Sequence, residues 1–199
     1  MARTTFTRAE LESYRDAEVP DLLPAPDRPL RLLFVGINPG LWTAATRTHF
    51  AHPGNRFYPA LLLGGVIDEP VDAADGMTDA DRARFTAAGL GITNLAPRAT
   101  AKASELSAPE LAEGGRRLLA LVRERRPAVV AVAGVTAYRQ AFGVPKARQG
   151  RQSDGPEGWP AESELWVVPN PSGLNAHETT ATLAAAYVEV AHAAGLIGP

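Results

Sequence analysis

The sequence predicts an α/β protein: a single-domain, three-layer αβα sandwich with a mostly parallel central sheet. Three observations predict this fold. Short apolar segments of strand length alternate with longer segments that carry helix signals. Strands that alternate with helices form parallel sheets covered by helices on both faces. The length of 199 residues suits one domain, and 45% hydrophobic residues are enough to fill its core.

Residues 1–29 are predicted to form a short helix and an extended arm that precede the domain at residues 30–199. Residues 7–14 fit a helix capped by Thr7, whose hydroxyl can accept from a free backbone N–H of the first turn. Prolines then favour extended chain, because each fixes its own φ and disfavours helix for the residue before it. They are Pro20, Pro24, Pro26 and Pro29.

Three strands are predicted to be buried on both faces, because their residues are apolar without alternation. They span residues 30–37, 128–133 and 165–168. A shorter strand is predicted at residues 92–95.

Helices are predicted between these strands. Residues 55–63 suit a helix, provided that Pro59 lies in its first turn. Ser107 and Glu110 have capping-box spacing, which predicts the start of a helix that runs to about Arg126 and stops before a proline.

Two further helices are predicted at residues 136–142 and 180–194, and the remaining long segments are interpreted as loops. Residues 68–81 form an acidic loop in this interpretation, and residues 143–161 are rich in turn-forming residues.

Composition excludes several kinds of site. The chain has no cysteine, which excludes an iron–sulfur cluster, a thiolate zinc site and a thiol nucleophile. His49 and His52 lie three residues apart without a third ligand, which is poor evidence for a metal, so we expect no metal and no cofactor. Without a signal-peptide pattern or a long uncharged apolar run, we expect a soluble, cytoplasmic protein with no membrane contact. We also expect a monomer, although the sequence carries little information on oligomeric state.

The formal net charge of −2 argues against DNA binding, since phosphate neutralisation needs clustered Lys and Arg. The charges are unevenly distributed, however. Acidic residues concentrate at Asp68, Glu69, Asp72, Asp75, Asp79 and Asp81. Basic residues without acidic neighbours are Arg139, Lys146, Arg148 and Arg151. A basic face on an acidic protein and two solvated loops explain this distribution equally well.

Two loops follow the carboxyl ends of predicted strands, so both are expected at the edge where such sheets bind ligands. The first loop, residues 36–40, has glycines that allow close approach of a ligand, although a structural turn explains it equally. It matches neither a dinucleotide nor a phosphate-binding motif. The second loop, residues 170–175, has Leu174 at its tip, which either folds onto the core or fills the gap left by an extruded base. Between them, Phe50 is either a core side chain or a stacking platform for a planar base.

Four motifs occur in a fixed order: GINPGL at 36–41, FAHPGNRF at 50–57, GITNL at 91–95 and NPSGL at 170–174. This ordered set resembles the mismatch-specific uracil-DNA glycosylases, bacterial relatives of the thymine-DNA glycosylases. The resemblance runs from residue 30 to the C-terminal helix. It implies a glycosylase domain of the uracil-DNA glycosylase fold in the bacterial cytosol or nucleoid, acting in base-excision repair. The implied substrate is double-stranded DNA with G·U or G·T mismatches, cut by base flipping and hydrolysis without lyase activity.

The resemblance also implies roles for individual residues. Asn38 is similar to the residue that positions the attacking water, and Asn170 stands where the wider superfamily often has a histidine that stabilises the departing base. The substrate-binding residues implied are Ile37, Gly40, Phe50 and Asn94. Phe50 is similar to the stacking ring, and the backbone amides of Ile37 and Phe50 are similar to those that contact the uracil edge.

The second loop resembles the wedge that enters DNA, with contacts to the orphan guanine. The implied residues are Gly173, Leu174, Asn175 and His177. The bacterial wedge is often Gly-Leu-Ser-Arg, whereas Asn175 and Ala176 follow Leu174 here. The arginine is missing, and His177 is expected to replace it in part.

An asparagine at position 38 cannot accept a proton near neutral pH, so catalysis is expected to come from positioning and from stabilising the leaving anion. If a carboxylate assists, the candidates are Asp68, Asp72 and Asp75. Two alternatives remain open: a non-catalytic mismatch-binding module, and an α/β hydrolase that acts on free nucleosides.

Overall fold

The computed structural model describes residues 5–198 and has a five-stranded sheet at its centre. The strands are β1 (Leu32–Gly36), β2 (Leu90–Asn94), β3 (Val129–Ala133), β4 (Gly150–Arg151) and β5 (Glu164–Val168). Their order in the sheet is β2-β1-β3-β5-β4. Only the edge strand β4 is antiparallel to its neighbour, which confirms the predicted α/β class with a mostly parallel sheet.

Seven α-helices lie in the described range. They are α1 (Arg8–Glu12), α2 (Leu41–Thr46), α3 (Phe57–Leu63), α4 (Asp79–Ala87), α5 (Ala108–Arg125), α6 (Val135–Phe142) and α7 (Thr180–Ala193). All five predicted helices are confirmed, with end positions that differ by no more than a few residues. None of these helices is long and apolar enough to cross a membrane.

The central strands are apolar throughout because helices cover both of their faces. On β1, Leu32 and Phe34 belong to the apolar cluster formed with α3, α4 and α7. The alternate residues, Leu33 and Val35, belong to the cluster formed with α5 and α6. Since successive side chains on a strand point to opposite faces, this division produces the three layers.

The local signals for helix starts are confirmed. Ser107 and Glu110 form the expected capping box at the start of α5, and Thr7 caps α1. Pro59 lies in the first turn of α3, where its missing N–H breaks no intrahelical hydrogen bond.

The prediction missed helices α2 and α4 and strand β4, and each of them lacks the pattern that identifies such elements. The prediction of a loop throughout residues 68–81 was wrong at its end, because Asp79 and Asp81 begin helix α4 behind the cap Thr78. That helix buries only Phe85 and therefore has no apolar stripe. Helix α2 has six residues and no side-chain cap, and β4 has two residues within the segment interpreted as loops.

The strand predicted at residues 92–95 starts earlier, at Leu90. Gly91 interrupts the apolar pattern there, but a Cβ at this position would lie 2.7 Å from Leu30 and 3.0 Å from Leu23. A larger side chain here would displace the two leucines that pack against the strand, which favours a glycine within it.

The N-terminal arm lies along the outer edge of β2. Leu22 exchanges backbone hydrogen bonds with Ile92, and Glu18 pairs with Arg98 further along. The arm thus covers an edge that would otherwise expose unpaired backbone groups. The outer bounds of the predicted division, residues 1 and 199, lie outside the described residues.

Candidate active site

A cleft of about 660 Å³ opens at the carboxyl edge of the sheet. The first loop leaves β1 and the second loop leaves β5, and both line this cleft, together with Phe50 and Asn94. Asn38 and Leu174 therefore face the same side of the sheet, as the parallel arrangement of the strands predicts.

The side-chain amide of Asn38 is held in one orientation. Its Nδ2 donates to the carbonyl oxygens of Pro39 and Arg98, at 2.9 and 3.2 Å, and to the hydroxyl of Thr100 at 2.8 Å. Carbonyl oxygens only accept, so the NH₂ group must point towards them and Oδ1 must point away. No residue in the range 5–198 donates to this Oδ1, which leaves an acceptor available at the cleft.

Thr100 is a site residue that the sequence did not reveal. Its hydroxyl donates to the Lys102 carbonyl at 2.8 Å, so its lone pairs face the Asn38 amide. Arg98 fixes the second acceptor, because its guanidinium is ion-paired with Glu110 and Asp16. The segment after GITNL thus supports the first loop, although its motif gave no signal for that contact.

The side-chain amide of Asn170 has the opposite polarity. Its Oδ1 accepts from the backbone N–H of Ser172 at 3.0 Å, which directs Nδ2 away from the turn. No acceptor among residues 5–198 takes this NH₂ group, and Asn170 lines the cleft. The cleft therefore has an amide acceptor from the first loop and an amide donor from the second.

His49 orients Asn94. The ring Nε2 lies 3.0 Å from the Pro20 carbonyl, which requires a proton on that nitrogen and leaves Nδ1 as an acceptor for the Asn94 Nδ2 at 3.1 Å. Burial lowers the pKa of His49 to about 4, an effect that Arg82 reinforces and the Pro20 carbonyl opposes, so the ring is neutral at pH 7. With both ring nitrogens engaged, His49 has no free nitrogen for a metal.

Asn94 Oδ1 is consequently directed towards the first loop. A Cβ on Gly36 would lie 2.3 Å from this oxygen, which is closer than Cβ atoms approach any neighbour. Gly36 therefore has to be a glycine for the Asn94 amide to occupy this position at the cleft.

Phe50 packs on the core and also faces the cleft, so the core alternative is confirmed and the stacking of a base stays a prediction. Its ring stacks on the buried Phe57 with a centroid distance of 4.2 Å and an interplanar angle of 27°, while the residue also lines the cleft. Its φ of 56° lies in the left-handed region, which costs free energy for a bulky residue and is held only by the surrounding structure. The backbone N–H groups of Ile37 and Phe50 donate to no acceptor within residues 5–198.

The second loop has an exposed tip. Leu174 is 93% exposed, so it does not fold back onto the core. Gly173 packs against the backbone of Gly54, since a Cβ at Gly173 would lie 2.4 Å from the Gly54 carbonyl oxygen. The other two positions predicted for the wedge do not line the cleft. Asn175 is engaged within the loop through Asn170 and His177, and His177 is exposed.

The charged groups around the cleft are few. The described residues that line it include no Asp or Glu, and the suggested carboxylates Asp68, Asp72 and Asp75 lie on an exposed segment elsewhere. Arg56 is the one arginine among the lining residues. Residues 5–198 contain no cluster of three or more acidic, histidine or cysteine side chains that could hold a metal.

Gly40 ends the first loop, lines the cleft and caps α2. A Cβ there would meet no atom within 4 Å, so packing alone does not require this glycine. Its backbone is open to a group that enters the cleft.

Taken together, these groups can hold a water by an amide oxygen and can place N–H donors around a planar, partly negative group that stacks on an aromatic ring.

A comparison with protein families gives an independent finding. The family described as the uracil DNA glycosylase superfamily matches residues 25–191 of the chain.

Proposed function

Because the chain belongs to the uracil DNA glycosylase superfamily, we propose that it removes uracil mispaired with guanine from double-stranded DNA, and thymine or modified pyrimidines more slowly. The observation that carries this proposal is the opposed polarity of two fixed amides in one cleft. Asn38 presents an acceptor and Asn170 a donor. Both can aid hydrolysis of an N-glycosidic bond, the acceptor by holding the attacking water and the donor by stabilising the departing base.

In the proposed mechanism, Asn38 orients the water without taking its proton. The Oδ1 accepts a hydrogen bond from the water and so directs an oxygen lone pair towards the anomeric carbon of the flipped nucleotide. The C–N bond breaks as positive charge develops on the sugar, as in other glycoside hydrolyses, and the water proton is lost to solvent or to the departing base. An amide contributes by position alone, which predicts a slow enzyme that favours good leaving groups.

The departing uracil carries the electron pair of the broken bond. Asn170 Nδ2 and the amides of Ile37 and Phe50 are the donors available to stabilise this anion. Such fixed donors cost no reorganisation during the reaction. Phe50 would stack on the base, and Asn94 would contact its edge.

Selectivity for mismatches would come from the energetics of flipping. A mispaired base costs less to extrude than a paired base, and Leu174 would fill the vacated space in the helix. We therefore expect G·U to be cut well, G·T poorly, and normal pairs hardly at all.

A basic strip supports the approach of DNA despite the net charge. Gly150 pairs with Val167, close to the carboxyl end of β5, so the chain just before Gly150 lies at the same edge as the second loop. Lys146 and Arg148 on that segment are exposed and make no ion pair within residues 5–198. Arg151 is instead paired with a glutamate of β5. Contacts to phosphates by the two free cations would raise affinity for any DNA sequence.

The test is an excision panel of G·U, A·U, G·T and single-stranded uracil, with wild type and Asn38→Ala, read by alkali-sensitive strand cleavage. Wild type should cut G·U fastest. Asn38→Ala should lose excision by about 10²–10³-fold while its affinity for the duplex stays the same. Equal rates on A·U and G·U, or undiminished turnover by Asn38→Ala, would contradict the proposal.

The same panel separates the two alternatives. A mismatch-binding module would bind the duplexes and leave no abasic site. A nucleoside hydrolase would use free deoxyuridine, but such enzymes need groups for the ribose hydroxyls, and no carboxylate lines the cleft in the described part of the chain.

A further inference from the structure

Arg56, the residue before helix α3, connects the start of that helix to the second loop. Its guanidinium donates through Nη1 to the carbonyl oxygens of Asn175 and Glu178, at 3.3 and 2.5 Å, and through Nη2 to that of Gly173 at 3.3 Å. Its backbone N–H donates to the Pro171 carbonyl at 3.0 Å. One residue thus contacts four carbonyl groups along the segment that carries Leu174.

The second loop has little other support. Its remaining side-chain hydrogen bonds are internal, such as those of Ser172 with Asn170 and of Asn175 with Asn170. Within residues 5–198, the only side-chain hydrogen bonds that reach residues 170–177 from elsewhere come from Arg56. The close contact of Gly173 with Gly54 adds packing but no directional bond from a side chain.

We propose that Arg56 is a positioning residue for base flipping: it fixes the second loop so that Leu174 stands at the mouth of the cleft. This inference rests on the proposed function of the second loop as a wedge. Arg56 lies in the FAHPGNRF segment, so the side-chain support of the second loop comes from a distant part of the sequence. The support is structural, because the guanidinium binds the loop's own carbonyls.

Lysine is the informative substitution. A guanidinium is planar and presents five N–H donors in a fixed fork, whereas an ammonium is a point charge on a flexible stem. Arg56→Lys therefore keeps the positive charge and loses simultaneous contact with several carbonyls. If Arg56 acted by attracting DNA phosphates, lysine would replace it.

The first measurement is hydrogen exchange on the free protein. In Arg56→Lys, amides of residues 172–177 should exchange about tenfold faster, because the turns at Ser172 and Asn175 lose their external support. The rest of the protein should be unchanged. Unaltered exchange in this segment would overturn the proposal, whatever the protein's activity.

The second measurement is a double-mutant cycle on single-turnover excision from a G·U duplex. Arg56→Lys should lower the rate about tenfold in wild type, but less than twofold in a Leu174→Ala background, because both changes remove the same contribution. Equal losses in the two backgrounds, or full activity of Arg56→Lys, would overturn the proposal. Failure of the proposed function would look different, since wild type itself would then leave no abasic site.

Arg123→Lys is the matched control. Arg123 also donates to a loop carbonyl, that of Gly158 at 2.9 Å, but it lies on α5 and does not line the cleft. This variant should leave excision and exchange of residues 172–177 unchanged. Melting temperatures of all variants would show that any loss is not due to unfolding.

Discussion

The two loops of the cleft differ in how they are held. The first loop is bonded to its neighbours at every step: Gly36 and Ile37 accept backbone hydrogen bonds from Leu95 and Ala96, and three acceptors hold the Asn38 amide. The second loop depends on its own turns and on Arg56, and it leaves Leu174 93% exposed.

This difference fits the two tasks that we propose for the loops. A water must be held at a fixed position before the reaction, since a displacement of 1 Å can cost about 10²-fold in rate. A wedge has no partner until DNA is present. Burying a leucine side chain contributes about 1.5–3 kcal/mol. Leu174 is exposed in the free protein, so this stabilisation would be gained only when the side chain enters the base stack.

Asn38→Asp is expected to have the largest effect. A carboxylate has no donor, so the carbonyl oxygens of Pro39 and Arg98 would repel it instead of holding it. Although aspartate is a better base than asparagine, it should leave the position that Asn38 occupies. We expect single-turnover excision of G·U to fall by about 10²–10³-fold at neutral pH.

Thr100→Val is the companion variant for this prediction. It removes one of the three acceptors of the Asn38 amide and leaves both carbonyls, so its loss should be much smaller. If Asn38→Asp were as fast as wild type, or faster, the tight hold on the first loop would not matter for catalysis.

Gly36→Ala comes next in expected size. The new Cβ would lie 2.3 Å from the Asn94 oxygen and 3.4 Å from the ring of Phe50, and both side chains line the cleft. The backbone at Gly36 does not have positive φ, so alanine is compatible with the local chain. Excision should fall by about 10–10²-fold, while duplex affinity changes little.

Gly40→Ala sharpens the same prediction. Its Cβ would meet no protein atom within 4 Å, so the free protein should keep its structure and stability. Any loss of excision would then mean that the substrate comes close to the backbone at position 40 when it binds. If Gly36→Ala and Gly40→Ala melt at similar temperatures but only Gly36→Ala excises slowly, the loss of rate comes from the contacts of the new Cβ at position 36.

The sequence predicts the sheet and the place of the cleft better than it predicts the bonds within the cleft. Apolar segments identify the parallel strands, and their carboxyl ends must share one edge, which is where Asn38 and Asn170 lie. The amide orientations depend on contacts between distant parts of the chain, such as Asn38 with Thr100 and His49 with Asn94. A motif gives the residue types but not the partners that turn an amide one way.

The sequence-based prediction missed the short elements for a related reason. Helix α2 has only six residues and no side-chain cap, α4 buries only Phe85, and β4 consists of two residues at an edge, so hydrophobic periodicity carries little signal for them. Arg56 stood within a recognised motif, yet its partners lie more than a hundred residues away in the chain.

Leu174→Ala is expected to have a smaller effect than the changes in the first loop. The alanine keeps the backbone of the second loop and removes most of the apolar surface available to the base stack. Losing about 1.4 kcal/mol of burial corresponds to about tenfold weaker binding of the abasic product duplex. Fluorescence of 2-aminopurine beside the uracil should also report less flipping.

The control for Leu174→Ala is Leu63→Ala. Leu63 is also exposed, at 62%, but it lies at the end of α3 and does not line the cleft. Its loss should leave product binding unchanged. If both variants bind the product duplex like wild type, the exposed tip of the second loop has no role in DNA binding.

The smallest effect on excision is expected from titration of His49, which orients Asn94 at the cleft. The pKa of this histidine is lowered by burial to about 4, so the ring stays neutral and excision should show no inflection from it above about pH 5.

The stability of the fold should respond to this titration instead. The unfolded chain binds a proton near pH 6.5, so the contribution of neutral His49 is complete above that pH, is lost progressively as pH falls towards 4, and amounts to about 3 kcal/mol at most. Urea unfolding between pH 7 and pH 4 should therefore show a steeper loss of stability for wild type than for His49→Gln. Parallel curves for the two proteins would mean that folding leaves the pKa of His49 unchanged near 6.5, so the ring would be charged below that pH and its Nδ1 could no longer accept from Asn94 there.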